Sequence, residues 1–322
     1  MEERGVAGML GRTANCIFWM CRYLERAENT ARLLDAGFRM SLTRASEMAS
    51  EEWRSVIVTL GLVEHYDARH DSYSGAQVCN YVLRDRDNPH SVLSMFEIAR
   101  TNARVARSSL TMEVWESVNE GWMALRDMLS RPVKESNLGS ILAAIRREAT
   151  LFRGATYGTM LRNEIYQFAR AGTFIERADN TARILDVKYH LLLPSLSYVG
   201  SSLDSSQWDQ VLRSLAGERA FSWLNSGQMD SRGIAEFLIL DPRFPRSLLF
   251  SYGQLGQHLS ELAQEYGAES PAHGLMTNTR QWLAERNIQK IFDTGLHEFL
   301  IDFIDRNQSV ANAIAEDYRF SA

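Results

Sequence analysis

Two thirteen-residue segments of this chain repeat one pattern of charged residues. Residues 23–35 read YLERAENTARLLD and residues 174–186 read FIERADNTARILD, so nine of thirteen positions are identical at an offset of 151. Each segment spaces a glutamate, an asparagine and an arginine as neighbours on one helix face. Glutamate can act as a general acid or base, and arginine binds carboxylate or phosphate through its planar guanidinium. The repeated segment could therefore hold a catalytic or a binding site.

The polar face of each repeated helix needs an explanation. The apolar residues fall on one arc and are accounted for by packing, whereas Glu25, Asn29 and Arg32 lie on the opposite face. Exposed helix positions accept exchanges at a cost of about 0.5 kcal/mol or less, so a merely solvated face should differ between the copies. The candidate site is therefore the polar face of both segments: Glu25, Arg26, Asn29, Arg32, Glu176, Arg177, Asn180 and Arg183.

A buried network is the first of three interpretations of this face. In it, Glu25 contacts Arg183 and Glu176 contacts Arg32 across the two helices. Only burial would constrain both copies, because an exposed ion pair contributes about 0–1 kcal/mol and a broken buried pair costs about 3–5 kcal/mol. This interpretation predicts that Arg32→Ala unfolds or markedly destabilises the protein.

A binding cleft and a catalytic site are the other two interpretations. A polar cleft between the helices would bind an anionic or peptide-like ligand through its arginines, oriented by the glutamates. An acid/base site would use Glu25 and Glu176 themselves, but no nucleophile, phosphate loop or cofactor motif accompanies them. We therefore expect no cofactor and leave the three interpretations open at this point.

The elements that carry these residues are predicted to be helices throughout. Only six prolines occur, and between them apolar residues recur every three or four positions instead of alternating. The predicted helices span residues 13–42, 51–62, 75–86, 91–130 with a break, 137–155, 156–193, 206–216, 231–240, 245–266, 275–290 and 293–319.

The order of the matched segments predicts an internal duplication. Glu52-Trp53 resembles Gln207-Trp208, and Asn88-Pro89 resembles Asp241-Pro242, each in the same order relative to the repeated helix. We therefore expect one all-α domain over residues 1–322, a multi-helix bundle of two tandem units, 1–150 and 151–322, packed about a pseudo-twofold axis. A period this long differs from the roughly 20–50 residues of a solenoid repeat.

Composition excludes several classes of protein. The 322 residues carry a net charge of −5, with 45% hydrophobic and 23% charged residues, which indicates a globular protein and no nucleic-acid surface. The three cysteines form no Cys-x-x-Cys pair, and no apolar run reaches the length of a membrane span. We expect a cytoplasmic protein with no membrane association.

Histidines give little indication of a metal. His65 and His70 lie with acidic residues in a predicted loop and lack a ligand spacing, and the Glu-x-x-His pairs of di-metal bundles do not occur. We expect no metal site. His297, just before the last predicted helix, fits packing or capping better than catalysis.

The full pattern resembles the bacterial alpha-E family. The similarity begins with MLGRTANCIFWMCRYLERAENTARLL at residues 9–34 and continues through LFRG at 151–154, TMLRNE at 159–164, GLHEFL at 295–300 and AEDYRF at 315–320. These segments hold the secondary candidates for the site, namely Arg12, Arg153, Arg162, Glu164 and His297.

The resemblance implies which enzymes this protein works with, and it does not imply a reaction of its own. Alpha-E proteins are similar to all-helical companions of circularly permuted ATP-grasp enzymes, found beside or fused to them, often with a transglutaminase-like peptidase. The resemblance therefore implies an accessory or binding component of a system that makes and trims amide bonds, and it identifies no catalytic residue. There are two alternatives. One is an enzyme that takes part in forming or cleaving amide bonds through the paired Glu/Arg helices. The other is a structural dimerisation module, which would form homo-oligomers.

Overall fold

The computed structural model describes residues 11–42, 46–191, 202–225 and 230–320. Over these residues the chain forms fifteen α-helices, one 3₁₀ turn and no strand, so the all-α prediction is confirmed. The helices are α1 Gly11–Ser41, α2 Ser46–Thr59, α3 Val63–Asp67, α4 Gly75–Arg84, α5 Val92–Val105, α6 Met112–Met128, α7 Glu135–Thr159, α8 Glu164–Leu191, α9 Ser202–Ser214, α10 Glu218–Asn225, α11 Ser231–Leu240, α12 Leu248–Tyr266, α13 Pro271–Ala284, α14 Ile288–Thr294 and α15 Leu296–Asp317.

Helices α1 and α8, which carry the repeated segments, pack against each other at the centre of the molecule. Their apolar sides are fully buried, including Ala27 and Ala31 on α1 and Ala178 and Ala182 on α8. Small side chains let two helix backbones approach closely. The two backbones are in close contact at Gly172, where a Cβ atom would lie 2.3 Å from the carbonyl oxygen of Phe18.

The remaining helices surround this pair. Helix α1 packs on α5 and α7, whereas α8 packs on α12 and α15; α6 then covers α7, and α13 packs on both α12 and α15. One continuous hydrophobic core runs through all these contacts. The core therefore surrounds the polar residues that α1 and α8 carry between them.

Several helices begin at a side-chain cap. Ser91 and Ser247 have extended backbones and accept hydrogen bonds from the amides of Ser94 and Phe250, which sets the first residue of α5 and α12. Thr111 does the same for α6. The Asn88-Pro89 and Pro245-Arg246 segments are thereby fixed against the ends of their helices, beside α1 and α8.

Four helix predictions are corrected by the structure. The predicted helix 156–193 begins too early: α7 continues to Thr159, the Arg162 guanidinium binds the carbonyl oxygens of Tyr157 and Met160 at its end, and α8 begins at Glu164. The predicted helix 275–290 spans two helices, and α3 and α10 were not predicted. Short helices bury too few apolar residues to leave a periodic signal.

The cysteines pack as buried apolar residues. Cys16, Cys21 and Cys79 are free thiols, and burial raises the pKa of Cys21 and of Cys79 to about 12. Such thiols are protonated at neutral pH and are poor nucleophiles. Over the described residues, no helix is both long and apolar enough to cross a membrane.

Candidate functional site between helices α1 and α8

The two Glu-Arg pairs of the repeated segments contact each other reciprocally. Arg177 donates to Glu25 through Nε at 2.9 Å and Nη2 at 3.1 Å. Arg26 donates to Glu176 through Nε at 2.5 Å and Nη2 at 2.8 Å. Each glutamate is thus held by two parallel hydrogen bonds from the opposite helix, which is the strongest geometry for this ion pair.

The predicted ion pairs Glu25–Arg183 and Glu176–Arg32 are wrong, because each arginine binds a different carboxylate. Arg32 does not reach Glu176 but binds Glu28 one turn away, with Nη2 at 2.7 Å from Oε1. Arg183 likewise binds Asp179 on its own helix, with Nε at 2.7 Å from Oδ2. The cross-helix contact is made by the arginine that directly follows each glutamate, because the helices cross at the level of the Glu-Arg pairs.

Two further arginines converge on α1 from outside the repeated segments. The Arg246 guanidinium donates through Nη1 to Glu25 Oε1 at 3.1 Å and Asn29 Oδ1 at 2.7 Å, and through Nη2 to Glu28 Oε1 at 3.1 Å. Arg153 on α7 contacts both glutamates. We call this assembly the Glu25 cluster, formed by Glu25, Glu28, Asn29, Arg32, Arg153, Arg177 and Arg246.

Charge is unevenly balanced in the Glu25 cluster, which has four arginines and two glutamates. Burial alone would raise the pKa of Glu25, but Arg177 and Arg246 hold it well below its usual range. Burial lowers the pKa of Arg246 to about 9, against the attraction of Glu25. Both groups are charged at neutral pH, so the cluster is a buried ionic network.

An open cleft lies on the other side of the helix crossing, around Glu176. It has a volume of about 470 Å³ and is bounded by α1, α8 and the segments 59–65 and 88–90. We call it the Glu176 cleft and define it by Arg26, Thr30, His90, Glu176, Asp179, Asn180 and Arg183. The second interpretation, a polar cleft between the repeated helices, thus has a physical counterpart on this side.

The cleft contains one amide without a partner. The Asn180 Nδ2 atom is buried and has no hydrogen-bond partner among the described residues. Burying an amide in this way costs about 1–3 kcal/mol. Asn29 Nδ2 on α1 is also buried and unpartnered, although its Oδ1 accepts a hydrogen bond from Arg246.

The glutamates are poorly suited to acid/base chemistry. Burial alone would raise the pKa of Glu176, yet Arg26 and Arg22, the latter with Nε at 3.0 Å from Oε2, lower it. An effective general acid or base has a pKa near the working pH, whereas both glutamates stay ionised and are paired with arginines. The geometry therefore favours binding or scaffolding over proton transfer.

The structure separates the secondary candidates. Arg153 belongs to the Glu25 cluster, whereas Arg12 is exposed at the start of α1. Outside the cluster, Glu164 accepts a hydrogen bond from Tyr266 at 2.5 Å, and His297 contacts Asp186 at 2.5 Å. Arg162 binds carbonyl oxygens at the end of α7, as described above. These last contacts connect helices and form no part of the α1–α8 site.

Metal chemistry has little support in this site. Over the described ranges, no group of three or more histidine, cysteine or acidic side chains is arranged to hold a metal ion. His65, from the predicted loop cluster, instead lies on α3 and contacts the hydroxyl of Tyr81 at 2.5 Å.

Comparison with known proteins gives a family for the chain. Residues 9–318 match the Alpha-E family, described as a predicted alpha-helical domain with a conserved ER motif. The chain belongs to the Alpha-E family. No solved structure matches it.

The curated relatives of this Alpha-E chain are longer proteins. Uncharacterised proteins of Mycobacterium bovis and of two strains of Mycobacterium tuberculosis are each 23% identical to it over 278 residues. The match covers 81% of this chain and 31% of each relative. The Alpha-E chain therefore spans about a third of the length of the relatives it matches.

Several residues of the Alpha-E site were not found from the sequence. Glu28 and Asp179 occupy matched positions of the repeated segments, but one is Glu and the other Asp, so identity between the two copies did not indicate them. Arg246 and His90 both precede a serine cap, and aligning those two caps would have indicated them. Arg22 has Thr173 at the matched position, so the repeat gave no signal for it.

Proposed function

We propose that this Alpha-E protein is a non-catalytic binding component of an ATP-grasp peptide-ligation system, and that it holds a peptide-like ligand in the Glu176 cleft. The observation that carries the binding role is the cleft itself. About 470 Å³ of space borders Asn180, whose buried amide lacks a partner, and the charged residues of both repeated helices. Pockets that bind small molecules have volumes from about 300 Å³ upward with a few convergent polar groups.

We further propose that the two halves of the chain are copies of one unit related by a pseudo-twofold axis. Four ion pairs support this proposal, because each pair has a counterpart at the offset of 151: Arg177–Glu25 with Arg26–Glu176, and Arg32–Glu28 with Arg183–Asp179. The matched helices α2 and α9 also bury a tryptophan each, Trp53 and Trp208. A duplicated unit would explain why the charged face occurs twice.

The ligase partner is proposed on two grounds. The family resemblance implies that such proteins occur beside or fused to circularly permuted ATP-grasp enzymes, often with a transglutaminase-like peptidase. The relatives extend well beyond the matched region, which fits an Alpha-E unit that works joined to other domains. A cytoplasmic location follows from this proposal, since an ATP-grasp ligase requires ATP.

The binding role is tested by co-purification from the native host, with mass spectrometry of partner proteins and of released small molecules. We expect an ATP-grasp ligase and a peptide-like compound to co-purify with the wild type. Asn180→Leu should lose the small molecule and keep a wild-type melting temperature, because it blocks the cleft at a half-buried position. Retention of the compound by this variant would contradict the cleft as its site.

A matched control separates the cleft from general surface charge. Arg183→Ala removes an arginine that pairs with Asp179 at the cleft and is 43% exposed. Arg213→Ala on α9 removes an arginine that pairs with Asp209 at the same spacing and the same exposure, away from the cleft. We expect only Arg183→Ala to change the affinity for the ligand; equal changes in both variants would assign the binding to non-specific charge.

A further inference from the structure

The serine caps of α5 and α12 place two different residues beside the repeated helices. In the second half, Arg246 precedes the cap Ser247, and Thr181 on α8 donates to the Arg246 carbonyl oxygen at 2.8 Å. In the first half, His90 precedes the cap Ser91 and borders the Glu176 cleft. The Arg246 side chain fills its side of the helix crossing, whereas the shorter 88–91 segment leaves a cleft.

The surroundings of Arg246 recur in the cleft residue by residue. Arg246 is surrounded by two carboxylates, an asparagine, three arginines and a threonine, and all of these except Arg153 have a counterpart at the offset of 151 that lines the cleft. The pairs are Glu25 and Glu176, Glu28 and Asp179, Asn29 and Asn180, Arg32 and Arg183, Arg177 and Arg26, and Thr181 and Thr30.

We propose that the Glu176 cleft binds a guanidinium group of its ligand, in the position that Arg246 takes on the other side. This proposal rests on the proposed binding function of the cleft and specifies the ligand's chemistry. Glu176 and Asp179 supply the carboxylates, and Asn180 supplies an amide oxygen. The ligand is therefore an arginine-containing or guanidino peptide, which keeps the peptide-like ligand of the sequence analysis and replaces the anionic one.

The hydrogen-bond pattern of Arg246 selects a guanidinium over an amine. Two of its nitrogens are used, Nη1 for Glu25 and Asn29 and Nη2 for Glu28. A planar guanidinium presents such divergent donors in a fixed arrangement, whereas a lysine ammonium offers a single nitrogen. An amine can reach only part of the same set of acceptors.

The charge balance of the cleft accommodates another cation. Around Arg246 there are two carboxylates and three other arginines, namely Arg32, Arg153 and Arg177. The cleft matches this count, because Arg22 contacts Glu176 much as Arg153 contacts Glu25. Glu64 also lines the cleft and adds a negative charge that the Glu25 cluster lacks. The cleft therefore repeats the charge balance of the site that already contains a guanidinium, with Glu64 as one further carboxylate.

Calorimetric titration of the full-length protein with small probes tests the proposal. The probes are N-acetyl-L-argininamide, its neutral isostere N-acetyl-L-citrullinamide, N-acetyl-L-lysinamide and inorganic phosphate. We expect the arginine probe to bind at least tenfold more tightly than the other three. Tighter binding of phosphate would overturn the proposal in favour of an anion site, and equal binding of the citrulline probe would show that the charge is not recognised.

Two variants locate the bound group. Asp179→Asn removes one carboxylate and should weaken binding of the arginine probe at least tenfold. His90→Arg supplies a guanidinium from the protein itself, as Arg246 does opposite, and should abolish binding while the melting temperature stays the same or rises. Unchanged affinity in both variants would place the probe elsewhere and overturn the proposal.

The Glu25 cluster provides the reciprocal experiment. Arg246→Ala should lower the melting temperature, and millimolar methylguanidinium should restore part of the loss, whereas methylurea should not. Absence of this selective rescue would contradict the guanidinium preference of the shared arrangement. If the arginine probe does not bind but a native compound and the ligase still co-purify, the guanidinium proposal is wrong and the proposed binding function stands. The two proposals can therefore be contradicted separately.

Discussion

At the scale of single residues, burial decides which arginines of the repeated segments matter for stability. Arg177 is buried and donates two hydrogen bonds to the buried Glu25. Arg32 retains 21% side-chain exposure, and its partner Glu28 is also bound by Arg153 and Arg246. Arginines of the same sequence pattern can thus differ in what they contribute to stability, because the penalty of an unpaired charge depends on its access to water.

Arg177→Ala should be strongly destabilising. Loss of this arginine removes both parallel hydrogen bonds to a buried carboxylate, and breaking such a pair costs about 3–5 kcal/mol. Arg32→Ala, which the buried-network interpretation expects to unfold or markedly destabilise the protein, should cost about 1 kcal/mol or less. Urea denaturation of both variants measures the difference; equal losses would show that the cross-helix pair contributes nothing special.

At the scale of elements, the crossing of α1 and α8 positions the whole site. The crossing depends on close backbone approach where Gly172 meets Phe18, and on alanines along both helices. It brings the Glu-Arg pair of one helix opposite that of the other. One turn further along, Glu28 and Asp179 each bind an arginine of the same helix. A change in helix separation would therefore disturb the ionic contacts on both sides.

Gly172→Ala should destabilise the protein through this crossing. The added Cβ would lie 2.3 Å from the Phe18 carbonyl oxygen, and inserting atoms into a packed interface costs about 1–3 kcal/mol. Gly154→Ala in α7 is the matched control, because nothing lies within 4 Å of its Cβ position and alanine favours a helix by up to about 1 kcal/mol. Thermal melting should move in opposite directions; stabilisation by Gly172→Ala would show that the helices can separate freely.

At the scale of the whole molecule, the two halves share their interior. Each buried glutamate of the crossing is neutralised from the other half, and Arg246 reaches from the second half into α1. The halves are therefore expected to fold as one cooperative unit and not as two independent domains.

Separate expression of residues 1–161 and 162–322 tests this cooperativity. We expect neither fragment to show a cooperative thermal transition alone, because each would expose the apolar face of α1 or α8 and leave a glutamate unpaired. Co-expressed fragments should associate and melt together. A cooperative transition in either isolated fragment would contradict a shared core.

Acid should destabilise the folded protein in two stages. Burial lowers the pKa of His258 from 6.5 to about 4. Between these pH values the imidazole is protonated in the unfolded chain and neutral in the folded protein. Stability is therefore lost as pH falls from 6.5 toward 4, by about 3 kcal/mol in total. The carboxyls of Glu25 and Glu176, whose pKa values are lowered, add a further loss below about pH 4.5.

The variant His258→Gln isolates the first stage. Glutamine can keep a polar contact with Gln167 but does not titrate, so the free energy of unfolding should fall less steeply between pH 6.5 and 4.5 than in the wild type. Denaturant titrations at three pH values measure this slope. An unchanged slope would assign the acid sensitivity to other groups.

The sequence by itself determined the all-α fold, the central role of the repeated helices and most of the charged residues on their polar face, although not Glu28 and Asp179. These follow from helical periodicity and from a repeat that spans residues 23–35 and 174–186, both of which are local patterns. Only the tertiary structure decided that Glu25 pairs with Arg177, that Arg246 joins it from a distant segment, and that His90 leaves a cleft on the opposite side. These contacts depend on where the helices cross and how far each connecting segment reaches, and neither distance is encoded in the spacing along one helix.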